Sequence, residues 1–138
     1  MFNQLEYQKN RIKERKLAGL CLSCGAEPYR GRQLCFWHSL EMIAAMELGS
    51  RKEAKFLQEL LCLQENRCFY CRTLIGICDN AHLGHMKPAS RFPELAHDKN
   101  NVRWLCRPCN RAMSDMTHDE FIFYISAIYH TVRSNLPI

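Results

Sequence analysis

The chain has 138 residues and 16.2 kDa, is 47% hydrophobic and 24% charged, and carries a formal net charge of +5. That size argues for one domain or two very small ones, with the composition of an ordinary globular protein. No apolar run approaches the ~18–20 residues that cross a bilayer as a helix, and MFNQLEYQKN is too polar for the apolar segment of a secretory signal. Nine cysteines in such a chain point to a reducing compartment, the cytoplasm, and to metal ligands rather than disulfides.

Residues 3–18 are expected to form a helix with little apolar face beyond Leu5, Ile12 and Leu17. It reads as a solvated basic arm; within the eight residues 9–16, Lys9, Arg11, Lys13, Arg15 and Lys16 stand against Glu14 alone. This local excess matters more than the total charge, because seven thiolates and two zinc ions would bring +5 down to +2. A cysteine knuckle follows at 19–38, punctuated by Gly19, Gly25, Pro28 and Gly31. Residues 39–48 are rich in helix formers, and the chain divides near Gly49–Ser50 into halves 1–50 and 51–138. A helix over 51–65 sets Ala54, Leu57 and Leu61 on one stripe, with Phe56, Leu60 and Leu63 beside it. Cys62 on that helix is expected to be buried packing, and Cys78 a spare thiol. Residues 68–105 hold no long helical period; strands are expected at 73–77, 81–86 and 102–105. Thr117 and Glu120 form a T-x-x-E capping box before a last helix whose face is Phe121, Ile125, Ile128 and Val132. The stripes on the helices at 51–65 and 118–133 suit a core or a dimer contact alike, and the sequence leaves that open.

Two cysteine patterns carry the strongest signal. Cys68-x2-Cys71 is followed, after 34 residues, by Cys106-x2-Cys109, and two such knuckles set four thiolates at the corners of a tetrahedron suited to zinc. Cys21-x2-Cys24-x10-Cys35-x2-His38 gives a second set, of three cysteines and one histidine. Each set supplies four protein ligands, whereas zinc catalysis requires an open position, so both are expected to be structural. Neither half is large enough for a strong core of its own, which makes a small zinc-stapled α+β fold the expectation.

Between the knuckles of the four-cysteine set lie His82-Leu83-Gly84-His85, then Lys87-Pro88, Asn100-Asn101-Val102-Arg103-Trp104-Leu105-Cys106, and Asn110 directly after Cys109. From about Gln64 to Phe121 the order C-x2-C, H-x-x-H-x-x-P, N-V-x-x-L-C-x2-C-N-R, D-M-T-x-x-E-F resembles the HNH endonuclease family, and within it the phage recombination endonucleases and small phage nucleases. The resemblance implies a ββα-metal finger flanked by helices and preceded here by the helical zinc knuckle. It implies His85 as general base, Asn101 as the middle asparagine that ties the loop, and Asn110 as ligand of a catalytic Mg2+ or Mn2+. The product would be a 5′-phosphate and a 3′-hydroxyl, in a bacterial or phage-infected cell. The chemistry suits these roles: neutral imidazole, with a pKa of ~6.5, takes a proton from water near pH 7, and a divalent ion stabilises the leaving oxygen.

Gly84 departs from the pattern, because relatives place Asp or His there as the second metal ligand. His82, Asp79 and the His97–Asp98 pair are the substitutes in reach; His82 differs from His85 by three residues and therefore faces the other side of a regular strand. Arg103, Arg107, Arg111, Lys87 and Arg91 are expected to hold phosphates beside His85, with residues 9–16 as an accessory clamp on duplex or branched DNA. Two readings follow: a metal-dependent DNA endonuclease, or a catalytically silent zinc protein that binds nucleic acid or regulates a partner.

Overall fold

The computed structural model describes residues 3–137. Asn3 opens helix α1 (Gln4–Leu17) by accepting the Glu6 N–H, and no residue of this helix is buried. The knuckle then turns the chain into α2 (Phe36–Leu48), which starts three residues earlier than its composition suggests, so His38 lies in its first turn. Gly49 ends α2 in the left-handed conformation (φ 71°), its N–H bonded to the Ala44 carbonyl, where any other residue would be strained. Ser50 caps a short 3-10 turn (Arg51–Glu53) that runs into α3 (Ala54–Leu63).

The sheet is a single antiparallel pair, β1 (Ala81–His85) and β2 (Val102–Cys106). Ala81 faces Cys106 and His85 faces Val102 without a bulge. Residues 73–77, expected as a third strand, form none: Leu74 makes one isolated bridge to Arg67, and the Asn80 side chain then folds the backbone around Gly76. β2 leads directly into α4 (Arg107–Met113), and the capping box of Thr117 and Glu120 opens α5 (His118–Asn135). Among the described residues no helix is long and apolar enough to cross a membrane.

One buried cluster joins Leu40, Ala44 and Leu48 of α2, Ala54, Leu57 and Leu61 of α3, and Val102, Trp104 and Leu105 of β2. Burying a residue such as Leu57 or Leu105 stabilises the fold by about 1.5–3 kcal/mol. Trp104 is fully buried and donates its indole N–H to the Leu57 carbonyl at 2.9 Å. Gln64 completes the join between α3 and β2. Its amide accepts the Trp104 N–H at 3.0 Å and donates to the Trp104 carbonyl at 2.8 Å, as a neighbouring strand would. The cluster runs across Gly49–Ser50, and the first knuckle is fastened to the rest by the Arg30–Asp79 ion pair at 3.0 Å and by Arg32 donating to the Cys78 carbonyl. The fold is a small α+β one with two cysteine-rich clusters.

Two expectations about packing fail. Cys62 is exposed rather than buried, because it sits on the α3 face opposite Leu57 and Leu61. On α5 only Phe121 is buried; Ile125, Ile128 and Val132 are in water, since α5 leaves the domain after its first turn.

Candidate active site

The two ligand sets assemble as their spacing suggests. Cys21, Cys24, Cys35 and His38 bring their ligand atoms within 4.8 Å of one another, and so do Cys68, Cys71, Cys106 and Cys109. Sulfur–sulfur distances of 3.9 Å (Cys24–Cys35) and 3.6 Å (Cys71–Cys106) match the ~3.8 Å edge of a tetrahedron with ~2.3 Å Zn–S bonds. His38 turns Nδ1 toward Cys35 at 3.2 Å and Cys21 at 3.7 Å, while its Nε2 lies 3.7 Å from Glu41. A carboxylate behind a histidine in this way orients the ring for ligation. Thr73 lies 3.3 Å from Cys71 Sγ, and this hydroxyl first of all holds the Cys71 thiol down to about 6, whereas burial pushes Cys106 and Cys109 of the same set up. Both sets therefore fit zinc.

The four-cysteine set aims the site. Cys106 caps α4, its sulfur accepting the Cys109 N–H at 3.5 Å, so the same knuckle that would hold zinc also starts the helix that carries Asn110. Asn110 is thus inside α4, and its Oδ1 lies 3.2 Å from the point where a β-carbon on Gly84 would stand. Positions 84 and 110 face each other. Gly84 itself has an ordinary φ; what it permits is close approach, since a β-carbon there would meet Leu105 Cδ1 at 2.4 Å.

His85 ends β1 half-buried, with Nε2 2.9 Å from the Ala96 carbonyl. A carbonyl only accepts, so Nε2 carries the proton and Nδ1 keeps a free lone pair. The loop that delivers Ala96 is held by buried Asn101. Its Oδ1 accepts the Lys87 N–H at 2.8 Å, and its Nδ2 donates to the carbonyls of Lys87 at 2.8 Å and Leu95 at 3.3 Å. Asn101 therefore closes both ends of the 87–101 loop, and the residue after Leu95 fixes the histidine.

The regular register sets His82 and Gly84 on one face of β1 and His85 on the other. Asn110 packs on the His82 side, so the strand alternation that separates His82 from His85 puts His82 on the side of Asn110. The other substitutes are engaged elsewhere. Asp79 pairs with Arg30, His97 Nδ1 is 3.3 Å from the Glu47 carbonyl, and Asp98 caps the turn Lys99–Asn101. Among the described residues no third cluster of His, Cys, Asp or Glu forms.

The expected phosphate contacts divide into two groups. Arg107 and Arg111 are exposed on one face of α4, and Lys87 is exposed over the Phe92 ring at 5.7 Å. Arg91 instead spends its fork on Glu120, at 2.6 and 2.9 Å, which holds the Glu120 carboxyl down to about 2. Arg103 bonds the carbonyls of Val102 and Asn100 and lies over Phe69. On α1, Lys9, Lys13 and Lys16 line one exposed side and Arg11 stacks over Tyr7, but Arg15 donates to the Leu22 and Ser23 carbonyls and ties the helix to the first knuckle.

Three participants left no trace in the sequence patterns: the Ala96 carbonyl, the Leu105 side chain over Gly84, and a pair formed by Tyr70 and His118. The Tyr70 hydroxyl is 2.9 Å from His118 Nδ1, the rings stack, and burial first of all pushes Tyr70 up to about 12. His118 also donates its backbone N–H to the Met86 carbonyl, one residue after His85.

The segment that builds this site matches the family model described as HNH endonuclease, over residues 68–115. Residues 68–115 are an HNH domain. No curated protein and no solved structure matches the chain. The HNH match covers the four-cysteine set, both strands, the intervening loop and α4, which is every element that positions His85, Asn101 and Asn110. The match supports a nuclease-type function in general, which implies a nucleic-acid substrate.

Proposed function

We propose that the chain is a metal-dependent DNA endonuclease in which His85 is the general base. The observation that carries this reading is the His85 ring, fixed through Nε2 on the Ala96 carbonyl with Nδ1 left free. Nδ1 takes a proton from the attacking water as that water adds to phosphorus; the P–O bond breaks, and the departing 3′-oxygen takes a proton from solvent, giving a 5′-phosphate and a 3′-hydroxyl. Asn101 keeps the loop closed, so that the ring meets the water already oriented.

Asn110 Oδ1, with His82 on the same face, would hold the divalent ion. When bound there, such an ion supplies Lewis-acid stabilisation of the charge growing on the leaving oxygen. An amide oxygen with an imidazole suits Mn2+ better than Mg2+, which favours oxygen ligands alone. Arg107, Arg111 and Lys87 would grip flanking phosphates, with Lys9, Arg11, Lys13 and Lys16 of α1 as a second, sequence-independent contact. The two cysteine sets act as structural zinc sites, and the halves 1–50 and 51–138 as clamp and nuclease.

One observation favours a second reading, a silent nucleic-acid-binding protein: Leu105 occupies the space beside Gly84 where relatives carry a ligand. Nicking of supercoiled plasmid and branched junctions in Mg2+ or Mn2+, beside His85→Ala, decides between them. Cleavage that disappears in the variant and in chelator, with zinc retained, supports the nuclease. No cleavage by the wild type, with salt-dependent binding intact, supports the silent protein.

A further inference from the structure

α5 is a helix of 18 residues, about 27 Å long at ~1.5 Å per residue, and every described residue from 122 to 137 is exposed. A bare helix of this length is marginal in water, and helices in proteins are held mainly by packing of an apolar face. Such a face exists. Ile122, Ile125, Tyr129, Val132 and Leu136 follow one another at intervals of 3, 4, 3 and 4 residues, the spacing of a coiled-coil seam. They are 42%, 40%, 54%, 51% and 60% exposed, with Ile128 at 45% beside them. Ile125, Ile128, Tyr129, Val132 and Leu136, with Arg133 at the edge, line a shallow groove of about 580 Å³.

We propose that this seam is the interface between two copies of the chain, packed as an antiparallel α5 pair. Three observations select that occupant. Between Phe121 and Leu136 the only residue carrying a fixed charge is Arg133, which donates to the Tyr129 hydroxyl at 2.9 Å; an antiparallel pair centred on Tyr129 sets the two Arg133 residues on opposite sides of the axis, and a face with a single cation offers little to a phosphate backbone. At these exposures the seam and Ile128 present roughly 500 Å² of side chain per copy, or about 1,000 Å² per pair, the lower bound of a specific interface. Within the chain itself, the other largely exposed helix, α1, offers only Leu5, Tyr7, Ile12 and Leu17 among its charges, with Arg11 over the Tyr7 ring, too little to cover the seam.

The orientation follows from bulk. Each domain sits at the N-terminal end of its α5, where Phe121 is docked, so a parallel pair would drive the two domains into each other. An antiparallel pair sets them at opposite ends, with the two-fold axis at Tyr129, the middle of the seam. The interface is isologous, and each substitution acts twice.

The test is sedimentation velocity of the zinc-loaded full chain from 1 to 100 µM, beside Ile125→Glu and Val132→Glu. The wild type is expected to sediment as a dimer. Both variants are expected to be monomers, weakened about 100-fold or more, with unchanged zinc content. A photo-crosslinking residue at 129 should join two copies through their α5 segments without relying on either charge variant to fold. A monomeric wild type, a dimer that survives both variants, or crosslinks that map outside α5 would each overturn the proposal.

Discussion

Introducing the missing acid is the sharpest test of how the HNH site is built. Residue identity alone makes Gly84→Asp look like a repair that should raise metal affinity. The structure predicts a cost first, because the new β-carbon would stand 2.4 Å from Leu105 Cδ1 and 3.1 Å from its Cγ. Leu105 is fully buried in the core, so it moves only by disturbing that packing. Overfilling a packed site of this kind costs about 1–3 kcal/mol, and for a domain of this size each kcal/mol lowers Tm by roughly 3–6 °C. Gly84→Asp should therefore melt roughly 3–18 °C below the wild type. Trimming the obstacle with Leu105→Val alone should cost about 0.5–1.5 kcal/mol. The double variant should be more stable than Gly84→Asp, because the lost methylene is the one in the way. It should also be the variant that gains Mg2+ dependence, since a carboxylate then faces Asn110 Oδ1. Thermal melts with zinc present, and Mg2+ titrations of nicking, read both parts. Gly84→Asp melting with the wild type would refute the packing argument. Additive destabilisation in the double variant would refute the specific role of Leu105.

The remaining expectations are simpler. Cys68→Ser should abolish the cooperative melting transition, because the four-cysteine set holds the knuckle to β2 and starts α4; an unchanged transition would refute a structural role for that set. Asn101→Ala should lower kcat more than ten-fold and cost about 1–3 kcal/mol, since it strands the Lys87 backbone and frees the loop that fixes His85; full activity in a stable variant would show that Ala96 is positioned by other means. Arg91 keeps the exposed Glu120 carboxyl near 2, so any stability from this pair is present above the ordinary carboxylate range and is lost as pH falls through about 2. In Arg91→Ala the Glu120 signal should titrate closer to the ordinary range by NMR, still held below it by the Thr117 N–H, whereas in the wild type it should stay ionised until the fold is lost; identical titrations would refute the pairing.

Much of this protein was legible in one dimension, and for a physical reason. Structural zinc sites draw on cysteine and histidine, and knuckles need short fixed spacings, so both ligand sets could be read directly. Capping is equally local, which is why Thr117 and Glu120 announced α5. The resemblance to the HNH family likewise implied the two strands and the helix found at Ala81–His85, Val102–Cys106 and Arg107–Met113. Tertiary structure decided what depends on packing between distant segments. No local pattern says that a backbone carbonyl at Ala96 will fix the base, that Leu105 will fill the space beside Gly84, or that Gln64 will act as a strand for Trp104. The phosphate-binding set shrank for the same reason: Arg15 and Arg91 are cations in the sequence, but their partners, the Leu22 and Ser23 carbonyls and Glu120, are known only once the chain has folded. The apolar face of α5 shows the limit most plainly, because periodicity specifies that a face must be covered, and only the arrangement of the other elements shows that this chain leaves it bare.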